Sequence, residues 1–272
     1  MNITSTVHNH CELCDGSGTL DELIRAAAEA GFTDIGISCH GVTPFELEYS
    51  LKDEKGYISA VRQAAKKFEG VINVALGVEQ DFYAPVSGRS AFDYIIGSVH
   101  YIYDEDRGIY HSVDDTPEKL RRCVDDMFGG DALAMVRRYY ELAVENVQKY
   151  RPDIVGHFDL VTKFNGHGEF FDESSPEYRS IALEALERIC SPSTVFEVNT
   201  GAMSRGWRAA PYPAGFILRR MRELKVPVTV STDCHSPDKL TYGIPQALEA
   251  LRQAGYSEIY VWRNGRFTEE KI

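Results

Sequence analysis

Histidine and acidic residues stand where the predicted strands of this chain end. Val7-His8-Asn9-His10 follows the apolar segment Met1–Val7, and Asp233-Cys234-His235 follows the strand-like run Val226–Thr232. Imidazole and carboxylate groups together are the usual ligands of Zn, Mn and Fe. In barrel folds, the carboxyl ends of parallel strands carry the active site. The pattern therefore predicts a multinuclear metal site, to which single residues at four more strand ends would contribute: His40, Glu79, His100 and His157.

Four of these ligand candidates form two pairs with the same spacing, His8 with His10 and Asp233 with His235. Residues i and i+2 of a strand point to the same face, so both members of a pair can reach one ion. In a closed barrel the first and last strands are neighbours, and the two pairs would meet. Taken alone, His8 and His10 are equally compatible with chance surface positions, and His100 and His157 have a core histidine bonded to backbone as their less favoured alternative. Asp15, in Cys14-Asp15-Gly16, is either a turn residue before glycine or a ligand.

Helical patterns and short apolar strands alternate along the whole chain, which indicates parallel strands joined by helical crossovers. Helices are predicted at Thr19–Ala30, Gly56–Phe68, Thr116–Phe128, Asp131–Tyr150, Ser175–Cys190, Tyr212–Leu224 and Pro245–Ala254. The further strands are Asp34–Ser38, Val71–Val78, Tyr94–Val99, Asp153–Val155, Val195–Val198 and Ile259–Trp262. We therefore expect one α/β domain over residues 1–272, a closed or nearly closed barrel. Tyr103–Asp115 is predicted to be an acidic loop at the rim, and His111 and His167 to be surface residues.

Composition and charge argue against several classes of protein. With 29 basic and 41 acidic residues, the net charge is −12, and no basic stripe of the kind that binds nucleic acid is present. No apolar run approaches the roughly 18 residues that cross a bilayer, and no signal peptide is evident. The six cysteines are too few for a disulfide scaffold. We expect a cytoplasmic protein that acts on a small molecule; the sequence does not indicate its oligomeric state.

The strand-end residues resemble the motifs of the polymerase and histidinol phosphatase (PHP) family, a branch near the amidohydrolases. The four motifs are matched in order by His8-Asn9-His10, Ser38-Cys39-His40, Gly156-His157-Phe158-Asp159-Leu160 and Ser231-Thr232-Asp233-Cys234-His235. Three further segments resemble the histidinol-phosphatase branch of the family: Ser98-Val99-His100, Glu197-Val198-Asn199-Thr200 and Pro211-Tyr212-Pro213. The resemblance runs from Asn2 to about Tyr242. It departs from the usual pattern at Cys11, where threonine is common, and at Gly16, where the branch often has a histidine.

This resemblance implies a distorted (β/α)7 barrel that holds three divalent metal ions, Zn, Mn or Fe. One ion would be bound by His8, His10, Glu79 and Asp233. A second would be bound by Glu79, His100 and His157, and a third by His40 and His235, with Asp15 as a further candidate ligand. The implied reaction is hydrolysis of a small phosphomonoester, L-histidinol phosphate, by a hydroxide that bridges two of the ions.

Residues beyond the metal ligands are candidates for substrate binding and proton transfer. Asp159 would either protonate the leaving oxygen or orient a ligand histidine. Arg205 and Arg208 could form a forked clamp on the phosphate, and Lys163 could supply another cation; each is equally compatible with a solvated surface position. A cationic substrate would need a carboxylate near its ammonium group, for which Asp81 and Glu169 are candidates.

Two other functions remain compatible with the sequence. The first is a PHP phosphoesterase that acts on nucleotides or short oligonucleotides, which Asp15-Gly16 favours and the acidic net charge disfavours. The second is a non-catalytic metal-binding scaffold domain, which the complete set of ligand candidates disfavours.

Overall fold

A computed structural model describes residues 3–191 and 193–272, and the sheet within them is built from short strands. In chain order, the strands are β1 (Ser5–Thr6), β2 (Asp34–Ile37), β3 (Asn73–Asp81), β4 (Tyr94–Ser98), β5 (Tyr101–Asp104), β6 (Ile109–Ser112), β7 (Ile154–Val155), β8 (Val195–Asn199), β9 (Val228–Ser231), β10 (Glu258–Arg263) and β11 (Arg266–Lys271). Seven of the described strands pair in parallel in the order β1-β2-β3-β4-β7-β8-β9. This is the predicted barrel. The Met1 and Asn2 part of the predicted first strand lies outside the described residues.

Helices connect the parallel strands and cover the outside of the sheet. They are α1 (Leu20–Glu29), α2 (Glu54–Lys67), α3 (Pro117–Phe128), α4 (Ala132–Tyr150), α5 (Pro176–Ile189), α6 (Gly201–Ser204), α7 (Gly215–Glu223) and α8 (Ile244–Gln253). The seven predicted helices are confirmed within a few residues, and four of them begin at side-chain caps that the sequence encodes locally. Thr19 and Glu22 form a capping box at α1, and Thr116, Asp131 and Ser175 each accept a backbone N–H at α3, α4 and α5. Across residues 3–191 and 193–272, no helix has the length and apolar character needed to cross a bilayer.

The two ends of the barrel are built differently. At the carboxyl end, Asn9 and Cys234 form a parallel bridge between the chain segments that follow β1 and β9. The N–H of His10 donates to the carbonyl oxygen of Cys234 at 2.8 Å, which closes the barrel there. At the opposite end, β10 contacts both β1 and β9, and its buried Trp262 packs with Tyr94, Val7 and Ile96. The predicted neighbourhood of the first and last strands is thus confirmed at the carboxyl end.

The prediction that Ile259–Trp262 continues the parallel sheet is wrong. This segment is part of β10, which pairs antiparallel with β11, a strand that the sequence pattern did not reveal. Asn264 and Gly265 join the two strands, and both have positive φ, 48° and 82°. An Asn-Gly turn of this type returns the chain directly into a hairpin and leaves no length for a crossover helix.

The prediction of a loop at Tyr103–Asp115 is also wrong, because most of this segment belongs to the antiparallel hairpin of β5 and β6. Tyr103 and Tyr110 face each other across the two strands, and Phe45 stacks on Tyr110 with ring centroids 3.6 Å apart. Aromatic cross-strand pairs of this kind stabilise a hairpin despite its acidic residues. His111 lies on β6 with a side chain that is only 9% exposed, so its predicted surface position is wrong as well.

Candidate metal centre

The carboxyl end of the barrel brings together all nine side chains that were predicted as metal ligands. They follow different strands, and because those strands are parallel, their last residues lie at one edge. Ligand atoms within 4.8 Å of one another form four overlapping groups: His8 with Glu79 and His157; His8 with His10 and Asp233; His40 with Glu79 and His100; and His10 with Asp15, His40 and His235.

Glu79 lies at the centre of these groups and is almost completely buried. Its Oε2 is 3.1 Å from His8 Nε2 and 2.9 Å from His40 Nδ1. Its Oε1 is 3.2 Å from His100 Nε2 and 2.9 Å from His157 Nε2. Burial alone would raise the pKa of Glu79, but the surrounding imidazoles hold that pKa well below its usual range. The carboxylate therefore stays charged and presents one oxygen to each side of the cluster.

Asp233 faces the first histidine pair from the far end of the chain. Its Oδ1 is 3.4 Å from His10 Nε2 and 3.7 Å from His8 Nε2. The backbone at Asp233 has a φ of 48°, a left-handed conformation that non-glycine residues seldom adopt. Arg205 donates to Asp233 Oδ2 at 3.1 Å. Burial favours the neutral acid, but Arg205 and His8 hold the pKa of Asp233 well below its usual range.

Asp15 closes the outer side of the cluster. Its Oδ2 is 3.1 Å from His235 Nε2 and 3.7 Å from His40 Nε2, and its Oδ1 is 3.5 Å from His10 Nδ1. The next residue explains why no histidine stands here: a Cβ on Gly16 would lie 2.6 Å from the Cα of Cys11. The tight turn over Cys11 therefore needs a glycine at position 16, and Asp15 supplies the side chain at this edge.

Several of the atoms that face the centre have no hydrogen-bond partner among the described residues. These buried atoms are His8 Nε2, His10 Nε2, Glu79 Oε2 and Asp15 Oδ1. Unsatisfied buried polar atoms are rare in native proteins, and each lost partner costs about 1–3 kcal/mol. Imidazole nitrogens and carboxylate oxygens are also the donor set that Zn, Mn and Fe share. The residues therefore fit divalent metal ions.

Glu197, on β8, contacts a candidate ligand histidine, whereas Asp159, which the sequence suggests for this role, hydrogen-bonds elsewhere. Glu197 Oε2 lies 2.8 Å from His8 Nδ1. Asp159 instead accepts the N–H of Ala214 at 2.8 Å, and it is not among the residues that line the adjacent cavity. Burial raises the pKa of Asp159 to about 7. The chain turns away after His157 into a short 3₁₀ segment at Leu160–Thr162, which directs the Asp159 carboxylate toward α7.

A cavity of about 210 Å³ opens over the cluster, and two of the three predicted phosphate-binding cations line it. Arg205 reaches it from the end of α6 and contacts His235 Nδ1 at 3.1 Å. The Lys163 ammonium donates to the carbonyl and carboxylate oxygens of Asp114 at 2.5 and 3.2 Å. Tyr101 and Leu160 add apolar surface to the same cavity. The cavity thus combines cations, the histidine cluster and apolar walls.

The structure does not bring Arg208 into this cavity. Its guanidinium donates two hydrogen bonds to Glu173, at 2.7 and 2.8 Å, and one to the carbonyl of Thr162. The predicted clamp of Arg205 with Arg208 is therefore corrected, since Arg208 is held by Glu173. Of the two carboxylates considered for an ammonium group, Asp81 lines the cavity, whereas exposed Glu169 accepts the N–H of His167 instead.

Comparisons with known proteins agree with this fold. The model of the PHP domain family matches residues 6–201. A probable histidinol-phosphatase of Deinococcus radiodurans is 30% identical over 263 residues, which cover 91% of this chain and 92% of the relative. The histidinol-phosphatase of Bacillus subtilis is 23% identical over 269 residues, 89% of this chain and 97% of the relative. A histidinol phosphate phosphatase of Lactococcus lactis, solved with zinc, L-histidinol and phosphate, has the same fold: the TM-score is 0.72 at 21% identity, over 97% of this chain and 98% of that one.

Proposed function

This chain belongs to the PHP domain family, in its histidinol-phosphatase branch, and we propose that it is a metal-dependent phosphomonoesterase that hydrolyses L-histidinol phosphate to L-histidinol and phosphate. The observation that carries the proposal is that Arg205 and Lys163 line the same small cavity as the histidine cluster. Relatives named histidinol-phosphatase that align over about nine tenths of both chains support this choice of substrate.

We assign three divalent ions, Zn, Mn or Fe, to the cluster. His8, His10, Glu79 and Asp233 would hold one ion, and Glu79, His100 and His157 a second. His40, His235 and Asp15 would hold the third; the closeness of His10 to this last group supports a shared edge between the first and third positions. When bound, such ions lower the pKa of water to generate a nucleophile near neutral pH, and they polarise phosphoryl oxygens.

The protein's own side chains would bind and orient the ester over the cluster. Arg205 and Lys163 are placed to donate hydrogen bonds to phosphoryl oxygens and to neutralise the charge that develops on them. Asp233 keeps the Arg205 guanidinium in place at 3.1 Å, and Asp114 does the same for the Lys163 ammonium. Tyr101 and Leu160 would cover the organic part of the substrate, which limits access of water to the leaving oxygen.

We also propose a cytoplasmic location. All six cysteines lie within the described residues as free thiols, and Cys11 and Cys39 remain unbonded although their sulfur atoms are 3.6 Å apart. A reducing compartment maintains thiols in this state.

The proposal is tested by phosphate release from protein loaded with Mn or Zn. The panel contains L-histidinol phosphate, nucleoside monophosphates and bisphosphates, and a short oligonucleotide. We expect a strong preference for L-histidinol phosphate, which His100→Ala abolishes and the matched change of an exposed loop histidine, His167→Ala, leaves intact. A preference for nucleotides would show that they, rather than L-histidinol phosphate, are the substrate. No phosphate release from any compound by metal-bound protein would favour the scaffold function.

A further inference from the structure

Glu197 is a fully buried carboxylate, with an exposed fraction of 0%, and every hydrogen bond that the structure gives it comes from a donor near the metal centre. Its Oε2 contacts His8 Nδ1 at 2.8 Å and accepts the Ser231 hydroxyl at 2.6 Å. Its Oε1 accepts the backbone N–H of His157 at 2.5 Å and the side-chain amide of Asn199 at 2.9 Å. These partners lie on or after four strands of the barrel. Glu197 therefore links parts of the sheet that each carry the cluster.

Two of the four partners belong to proposed metal ligands, and Glu197 holds them in different ways. It contacts His8 through the imidazole, whereas it binds His157 through the main chain. The contact between Glu197 and the His157 main chain needs a residue without a side chain at position 156. A Cβ at Gly156 would lie 2.3 Å from Ser98 Oγ and 3.5 Å from Glu197 Oε1. Ser98 in turn donates to Glu79 Oε1 at 2.7 Å. Glycine at position 156 thus lets the strand end fit between the Glu79 and Glu197 carboxylates.

We infer that Glu197 is a positioning residue that fixes His8 in its Nδ1–H tautomer and couples His8 to His157. An ionised carboxylate only accepts hydrogen bonds, so the proton of a neutral His8 must lie on Nδ1. Nε2 then carries the free lone pair of the imidazole. This atom lies 3.1 Å from Glu79 Oε2 and has no hydrogen-bond partner among the described residues. The inference rests on the metal centre of the proposed function, but it does not depend on the substrate.

Replacing Glu197 with glutamine tests this assignment without changing the size of the side chain. The backbone N–H of His157 cannot become an acceptor, so the glutamine oxygen must stay beside it. The glutamine NH₂ group then faces His8 Nδ1, which has to accept a hydrogen bond and moves its proton to Nε2. The Ser231 hydroxyl can rotate, because it both donates and accepts. Glu197→Gln is therefore expected to block one ligand atom while every proposed ligand residue is still present.

The experiment measures metal affinity by chelator competition in full-length protein, followed by metal analysis. Hydrogen-bond partners of ligand histidines typically contribute about 10–100-fold in metal affinity, and we expect Glu197→Gln to lose affinity in this range. The matched control is Asp34→Asn, which alters another buried carboxylate, at the opposite end of the barrel, bound to Asn73 and Asn264. This control is expected to keep wild-type affinity. Cobalt-substituted proteins supply a second readout, since the visible spectrum of bound cobalt should change only in Glu197→Gln.

Wild-type protein supplies the test if Glu197→Gln does not fold. Nitrogen NMR of the zinc-loaded protein should show His8 with a proton on Nδ1 and zinc on Nε2. Zinc on Nδ1 of His8, or unchanged affinity and cobalt spectrum in Glu197→Gln, would overturn the inference. Wild-type protein that binds no metal would overturn it before any substrate is added. Protein that binds metal through His8 as inferred, yet does not hydrolyse L-histidinol phosphate, would contradict the proposed function alone.

Discussion

The N–H of His10 donates to the carbonyl oxygen of Cys234 at 2.8 Å, and this bond joins the segments that follow the first and last barrel strands. The side chains of His8 and His10 meet that of Asp233 immediately beside it, within 3.7 Å. The backbone pairing that closes the barrel therefore also sets the distance between the two ends of the cluster. The same contact thus closes the barrel and brings the two ends of the cluster together.

Removal of metal is expected to lower the thermal stability of the protein. The cluster includes buried imidazole and carboxylate atoms that have no hydrogen-bond partner within residues 3–191 and 193–272, so bound ions would stabilise the folded state over the unfolded chain. An ion at 100 times its Kd contributes about 2.7 kcal/mol. Melting temperatures before and after chelation, and again after zinc is restored, measure the effect. An unchanged melting temperature in protein shown to be metal-free would contradict it.

Trp262→Ala is expected to destabilise the fold without emptying the metal centre. Trp262 is 6% exposed and packs on Tyr94 and Phe267 at the end of the barrel opposite the cluster. Truncation of a buried tryptophan costs about 3–5 kcal/mol. Denaturant unfolding measures the loss, and metal content at low denaturant serves as the control. Loss of metal in the folded variant would show that the two ends of the barrel are not independent.

Arg205 and Arg208 are expected to respond differently to the same substitution. Arg205→Ala should lower kcat/KM by about 10²–10³-fold, the range for loss of one donor to a developing anion. Arg208→Ala should leave KM unchanged and lower the free energy of unfolding by about 1.5–3 kcal/mol, because its charged hydrogen bonds go to Glu173. Steady-state kinetics and denaturant unfolding of both variants measure these effects. A raised KM in Arg208→Ala would contradict this expectation and support a phosphate clamp formed by both arginines.

Apparent metal affinity is expected to rise with pH. Burial alone would lower the pKa of His10, but Asp233 and Cys14 raise that pKa to about 10 in the metal-free protein. Below this pH the proton must leave before the imidazole binds an ion, so protons compete with metal over the whole range from acid to about pH 10. Chelator competition at several pH values measures the dependence. A pH-independent affinity below neutral pH would exclude imidazole ligands.

The clustering of the candidate ligands could be predicted from the sequence because parallel strands share one edge. Each of His40, Glu79, His100 and His157 follows an apolar run, and the fold brings all such residues to the same end. The orienting carboxylate could not be chosen in this way. Glu197 and Asp159 both lie near strand ends, and only the three-dimensional path of the chain shows that Glu197 faces His8 while Asp159 faces Ala214.

The carboxyl-terminal hairpin was missed although its turn is encoded locally. Asn264-Gly265 is a strong hairpin signal, and it outweighs the apolar pattern of Ile259–Trp262 that suggested another parallel strand. This hairpin covers the end of the barrel opposite the cluster because Trp262 packs against Tyr94, which is distant in the sequence. Sequence periodicity carries no information about such a contact.

Asp233 occupies a left-handed backbone conformation, which L-residues, unlike glycine, adopt at a penalty of about 1–2 kcal/mol. Glycine would relax this strain but would remove the carboxylate that faces His8 and His10. With Asp233 in its proposed role as a metal ligand, the position would set activity against thermostability, as functional sites often do. A lineage that no longer needed the proposed chemistry would gain folding free energy by replacing this acid with glycine.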